Sequence, residues 1–518
     1  MNNHRLVKST SFRCVDLRRP FSNFDFVEAN FRAEAAIRRL FSQARSHGCK
    51  TLVIEDIVAE GLVEDENEEI KRRYADHQMA DLKRLTFWEG IFSSEDEFRE
   101  RDSKHLAGFA ILKHDKIPSR KVDQWHIFDS VFRKYPHRHN CVPAEQMFSV
   151  RAGGKAFDLE GVLYCQQNQL NKACAQVALR SLCALHISEF DLPYSRINRL
   201  ADAAKPGFDP SDGLNVPQIQ AVLKKLGIQY SDVDYTKEPA SARKDMPYQK
   251  FLYAGVESGS GALLGFEYEG PKAKGERHIL PFFGHTFNQD TWVPSAEVAY
   301  FHVGEKTRYI PSESWLSSFI GHDDNFGSNF CIPRLYVTRD QAKYVVALHP
   351  SGVSYSGVLA EAIAIDYLYS LLPHLSGLDA PWLTRLVGYA KQQKVVLRAV
   401  AMPKQEYTKH LRIIRDWQSR AEDERLCRAI EDFLPKTVWM IEVSIPELFP
   451  TNLRKLGEIV LDASKLASSS LDFKSYKIAR FPGRFMLLKN VDPSSAPDFF
   501  RVPSGLRSHT PVYQASHL

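Results

Sequence analysis

The chain has 518 residues, with 68 Lys and Arg against 63 Asp and Glu and a net charge of +5. That length exceeds one ordinary core and predicts about three domains. The small, interleaved charge argues against a polybasic nucleic-acid binder, and the lack of a fixed-period repeat against a solenoid or propeller.

Met1–Pro20 lacks the apolar run of a secretory signal. The longest apolar region, Val353–Leu375, is broken by Glu361, Asp366 and Pro373, and reads as a buried helix rather than a membrane span. The 8 cysteines form no CxxC pair. With no export signal they read as free thiols of a cytoplasmic protein, and a zinc ribbon is not expected.

In chain order, the first region, residues 1–147, reads as an α+β domain. Phe31, Ile37, Leu40, Phe41 and Ala44 recur at helical spacing, and Gly48 stops the helix. Thr51–Ile54 is a β-branched strand, Asp65–Leu85 a charged helix with a solvated face, and His105–Lys113 a strand. The basic run Arg133, Lys134, His137, Arg138 and His139 reads as a solvated loop.

The middle region, 148–310, opens with a lead-in strand at Phe157–Tyr164 and a helix from about Lys172. A second helix, Pro217–Leu226, carries an apolar stripe and ends at Gly227. Candidate strands follow at Ile228–Val233, Ala262–Tyr268, His278–Phe283 and Thr291–Val303, with a turn at Gly284–Gln289. The last region, 311–490, has a helix within Gly357–Leu372, a strand at Lys394–Ala401, one long helix at Lys404–Phe433, and strands at Val438–Ser444, Glu458–Leu461 and Arg484–Leu488. Val491–Leu518 reads as a loose tail.

Chemistry concentrates in the middle region. With Asn171 as N-cap, Cys174 falls in the first turn of its helix. There, unpaired backbone N–H groups and the helix dipole favour a thiolate and can donate to an oxyanion. Gln167, with Gln166 as the alternative, offers a neutral side-chain donor just upstream. His278 opens an apolar strand and is the candidate base, with His285 as its rival. In a hairpin, Asp290 comes back beside His278 and orients it; Asn288, on the same return turn, competes for that role. Trp292 is core or a lid over the pair. Cys165 and Cys183 read as core thiols.

This Gln–Cys–His–Asp order resembles the papain-like cysteine peptidases, and among them the double-glycine-leader (bacteriocin-processing) peptidase-like branch. Gln167 and Cys174-Ala175-Gln176-Val177 match the family's Gln and nucleophile run, with Ala175-Gln176 where the family has Gly-Pro. His278 through Gly284 matches its histidine strand, and Asp290-Thr291-Trp292 is similar to its Asn-Ser-Trp. The likeness covers Val162–Val303.

The resemblance implies an α+β fold, with a papain-like catalytic domain between two accessory α+β domains. It implies a cysteine peptidase acting on peptide or isopeptide bonds through Cys174, His278 and Asp290, with no cofactor or metal. Expected partners are a protein or peptide substrate and, through the accessory domains, a protein partner; neither a nucleic acid nor a membrane is expected. The rivals are a papain-like acyltransferase of the transglutaminase type, and an inactive protease-like scaffold in a bacterial defence or stress system.

Overall fold

The computed structural model describes every residue except 1–2, 19, 33, 135–139, 169, 171–172, 188–190, 208, 210–212, 239–246, 269–274, 289, 291–308, 376–379, 415–419, 450–453, 466–474, 483, 491–497 and 503–518. It is a mixed α+β structure built on antiparallel sheets.

The first sheet is a meander of β1 (Arg13–Asp16), β2 (Thr51–Asp56), β3 (Gln78–Trp88), β4 (Leu106–Ile117) and β5 (Val122–Phe132), each paired antiparallel with the next. Helices α1 (Pro20–Phe31) and α2 (Ala35–Ser46) cover one face, where Phe31, Ile37, Leu40, Phe41 and Ala44 are buried. Gly48, at φ +71°, lets the chain leave α2 in a conformation that side chains disfavour. The expected helix Asp65–Leu85 divides into α3 (Leu62–Arg73) and β3. Charge masked the strand: Arg84 is fully buried and pairs with Glu55 of β2 at 3.0 Å, so a tertiary partner makes a cation a core residue. The short helix α4 (Glu95–Arg99) precedes β4.

Two short elements follow, β6 (Asn140–Cys141) and the hairpin of β7 (Gln146–Ala152) and β8 (Lys155–Gly161). Phe148, Val150, Phe157 and Leu159 of the hairpin pack on Trp88, Phe109 and Val131 of the first sheet. The boundary read at 147/148 therefore cuts β7.

Helices α5 (Cys174–Cys183), α6 (Tyr194–Asp202) and α7 (Val216–Lys225) come next, then β9 (Gln229–Asp234), α8 (Tyr248–Glu257), β10 (Ala262–Glu267) and β11 (Arg277–Phe287). Asn215 and Gln218 close a capping box at the start of α7, which fixes that boundary. After β12 (Ile310–Pro311) the chain returns as β13 (Leu316–Asp323), β14 (Gly327–Pro333) and β15 (Ala342–His349). The second sheet has the order β14-β13-β11-β10-β15-β9, with β6 also paired to β11. The boundary read at 310/311 thus falls inside β12, ahead of three strands that complete this sheet. Helices α5 to α7 cover one face and α8 the other.

β11 does not turn at Gly284. It runs on to Phe287 as a central strand, and its register to β13 shifts between Phe282 and Gly284, next to Pro281. A bulge there accommodates a proline that cannot donate to the ladder. The expected strand Thr291–Val303 lies outside the described residues.

The third sheet is β12-β16-β17-β18-β19-β20-β21, with β16 (Val396–Pro403), β17 (Thr437–Ser444), β18 (Gly457–Asp462), β19 (Tyr476–Phe481), β20 (Arg484–Asn490) and β21 (Asp498–Val502). Helices α9 (Gly357–Leu375) and α10 (Pro381–Lys391) pack on one face, and α11 (Lys404–Ile414) and α12 (Arg420–Phe433) on the other. α9 is the apolar region expected as a buried helix. No described helix is long and apolar enough to cross a membrane. The long helix expected at Lys404–Phe433 is the pair α11 and α12, and the tail expected from Val491 contributes β21.

Candidate functional site

α5 starts at Cys174, two residues later than an Asn171 cap implies; Ala173 is its N-cap, and Asn171 lies outside the described residues. From Ala175 to Cys183 the helix is buried, its Ala178, Leu179 and Leu182 against the second sheet and its Val177 against the first. Cys174 is half-buried at the exposed end of this rod. Burial and then the charge of Asp324 push its thiol up to about 11, against the pull of the backbone N–H groups of Ala175, Cys174 and Ile279. The N–H of Ile279 belongs to β11, so the sulfur sits beside the residue that follows His278.

His278 is buried near the start of β11. Its Nε2 is 3.2 Å from Oδ1 of Asp324 and 3.9 Å from Oδ2 of Asp323. Phe266, its cross-strand partner, packs edge-on at 5.8 Å, and the Tyr268 ring stacks at 5.9 Å. Burial lowers the His278 pKa, and Asp323 opposes this. Asp323 ends β13, the neighbour of β11, and Asp324 opens the turn that follows. Asp323 Oδ1 accepts the N–H groups of Asn325 and Phe326, which fixes the turn. Burial and the adjacent Asp323 carboxylate push Asp324 up to about 8.

Gln167 is half-buried, and its N–H donates to the Asp324 carbonyl at 3.2 Å. The segment before the nucleophile helix is thereby tied to the acidic turn. Gln166 is engaged elsewhere: its Oε1 accepts the Ile127 N–H at 2.9 Å, anchoring it to β5. A cavity of about 420 Å³ between α3 and the start of α5 is lined by Glu66, Gln166, Asn168, Ala173 and Gln176 but by neither Cys174 nor His278.

Asp290 is not brought to His278. Because β11 runs straight on, Asp290 and Asn288 lie beyond its far end, roughly 30 Å away at ~3.3 Å per residue. Asp290 is exposed; its N–H donates to Asn288 Oδ1 at 2.9 Å, and its carbonyl accepts the Trp315 Nε1–H. The Asn288 N–H donates to the Trp315 carbonyl. Trp292 lies outside the described residues.

His285 belongs to a second cluster. It is fully buried, with Nε2 2.7 Å from Glu257 Oε1, and Cys141 stands opposite it on β6. Glu257 also binds Arg398 of β16. Burial works against a charged His285, but Cys141 and Glu257 outweigh it and raise the imidazole to about 9.

The structure thus brings the expected Cys174, His278 and Gln167 to one end of the second sheet, together with Asp323 and Asp324, which the sequence reading did not single out. A signal was present: Asp323-Asp324-Asn325 is an acidic turn between two apolar strands, and the interval from His278 to Asp290 is short for a strand, a turn and a return. Comparison with protein-family models, curated proteins and solved structures finds no match.

Proposed function

We propose that the chain is a thiol-dependent acyl hydrolase of the papain-like type, acting on peptide or isopeptide bonds, with Cys174 as nucleophile, His278 as base and Asp324 in place of Asp290 as the orienting carboxylate. The observation that carries this reading is the convergence of a helix-initial cysteine, a strand-initial histidine and a carboxylate from the turn after the neighbouring strand at one end of the second sheet.

The chemistry follows from the environments. With the thiol pushed up and the imidazole pushed down, both rest neutral near pH 7. Proton transfer from Cys174 to His278 then accompanies attack on the carbonyl carbon, rather than preceding it. His278 returns the proton to the leaving amine, and water repeats the sequence on the thioester. An ionised Asp324 at Nε2 leaves Nδ1 as the imidazole's other nitrogen and stabilises the imidazolium. The N–H of Cys174 and the Gln167 amide are the oxyanion donors.

A second reading, a protease-like scaffold without turnover, draws on one observation: the thiol at about 11 is far from a resting thiolate. One experiment decides between them. An electrophilic peptide probe should label Cys174 in the parent and not in His278→Ala. A peptide library should be cleaved by the parent and not by Cys174→Ala. A parent that turns over nothing, yet keeps its partners in Cys174→Ala, is the scaffold. Transfer to an added amine in preference to water identifies the acyltransferase.

A further inference from the structure

The geometry points to a binding site for a divalent transition-metal cation of the zinc class, formed by His278, Asp323 and Asp324, whose occupation withdraws His278 from Cys174. Each of the three residues offers one donor atom, and these atoms lie within 4.8 Å of one another. His278 Nε2 lies 3.2 Å from Asp324 Oδ1 and 3.9 Å from Asp323 Oδ2, separations that two donors of one ion can span at bond lengths of about 2.0–2.2 Å.

A second observation is independent of this spacing. His278 and Asp324 are 6% and 4% exposed, and among the described residues His278 Nε2 and Asp324 Oδ2 have no aligned hydrogen-bond partner. The 3.2 Å approach of Nε2 to Asp324 Oδ1 is therefore close but poorly directed. Buried polar atoms without partners are uncommon, and here two of them belong to side chains that approach within 3.2 Å of each other. A cation placed between them supplies both with a partner.

The donor set selects the ion. One imidazole nitrogen and two carboxylates suit zinc or a neighbouring transition metal better than calcium or magnesium, which prefer all-oxygen shells. Two ionised carboxylates also balance a 2+ charge in a buried setting. Cys174 has Asp324 as an electrostatic neighbour and stands close enough to feel its charge. Binding at this place does not depend on peptide hydrolysis; if the site does hydrolyse peptides, zinc is a reversible inhibitor of it.

The test uses the full chain in a Cys331→Ser background, which removes the exposed thiol. Zn²⁺ is titrated by calorimetry and Co²⁺ by visible absorption, both without substrate. The parent should bind one ion, with a rise in Tm. Asp324→Asn, Asp323→Asn and His278→Gln should each weaken binding by about tenfold or more. Cys174→Ala should still bind while losing any turnover, which separates this proposal from the hydrolase reading. Equal affinity in the parent and both aspartate variants overturns the proposal, as does a parent that binds neither ion. Asp323→Asn, at a half-buried position, keeps the test open should Asp324→Asn fail to fold.

Discussion

The second sheet carries two Cys–His–carboxylate clusters, one near each end of β11, and they are built on opposite terms. Cys141, His285 and Glu257 are fully enclosed, and Glu257 divides its oxygens between His285 and Arg398. From Arg398 the pairing runs on through Glu442, Lys455 and Glu458 to Arg480 across the third sheet. Every charge there has an opposite neighbour. Cys174, His278 and Asp324 are the reverse: the thiol is half-buried, the imidazole–carboxylate pair is misaligned, and no cation faces the acids among the contacts described above. The tighter cluster has the better triad distances and the poorer claim to reactivity. A satisfied ion network holds elements together, whereas a site that must change its charges during a reaction cannot have them all neutralised beforehand.

Exchanging the two clusters in mutants gives the largest effect. Cys174→Ala or His278→Ala should reduce turnover by about four to six orders of magnitude, while Cys141→Ala should leave turnover within a few-fold. Initial-rate assays on the same peptide check this, and activity lost in Cys141→Ala but kept in Cys174→Ala would reverse the two assignments. Stability should show the opposite pattern. Glu257→Ala leaves Arg398 and His285 buried without their carboxylate, which costs about 3–5 kcal/mol. Urea unfolding should show that loss for Glu257→Ala and under about 1 kcal/mol for the exposed Asp290→Ala.

The oxyanion donor should show a smaller effect. Gln167→Ala should slow turnover about a hundred- to a thousand-fold and leave alkylation of Cys174 by iodoacetamide unchanged, since alkylation forms no oxyanion. Gln166→Ala acts on β5 instead, through the lost bond to Ile127, and should lower Tm more than turnover. A turnover loss in Gln166→Ala with a silent Gln167→Ala would move the donor one residue upstream.

Local signals in the sequence placed what local physics determines. Apolar spacing and a terminal glycine locate α2, Pro217 and Gly227 bound α7, and Cys174 falls at a helix start as expected, with Ala173 rather than Asn171 as the cap. Pairing across the chain was not legible. Arg84 reads as a solvated charge until Glu55 is beside it, so β3 passed for helix. The second sheet draws strands from both sides of residues 291–308, which hid its extent and displaced the boundary at 310. The same non-local return explains why Asp290 is not beside His278: nothing near His278 in sequence indicates that β13, rather than a tight turn after Gly284, runs beside β11.

The two clusters should also separate by pH, and here the expected effects are a few degrees in Tm. His285 is raised to about 9 from its ordinary 6.5, so its contribution is full below pH 6.5 and is lost as pH climbs through 9. Glu257 is lowered to about 2 from 4.5, so its contribution is full above pH 4.5 and disappears as pH falls through 2. The buried network is therefore most stabilising between about pH 4.5 and 6.5. Asp324 runs opposite to Glu257. Its carboxyl is raised from 3.8 to about 8, so the folded state holds a proton that the unfolded chain has released, and stability is lost as pH rises from 3.8 through 8. Asp324→Asn keeps the shape and removes that liability. It should melt at a higher temperature than the parent at pH 9, and closer to it at pH 5. Glu257→Gln should melt lower than the parent across pH 5 to 7. Parent turnover should rise from pH 7 to 9 as Asp324 ionises and begins to hold an imidazolium, and Asp324→Asn should lose that rise. Thermal melts and pH–rate profiles of these two variants check both halves. An Asp324→Asn protein that melts below the parent at pH 9 would show that the aspartate is paired with a cation, and its cluster would then be built like the other.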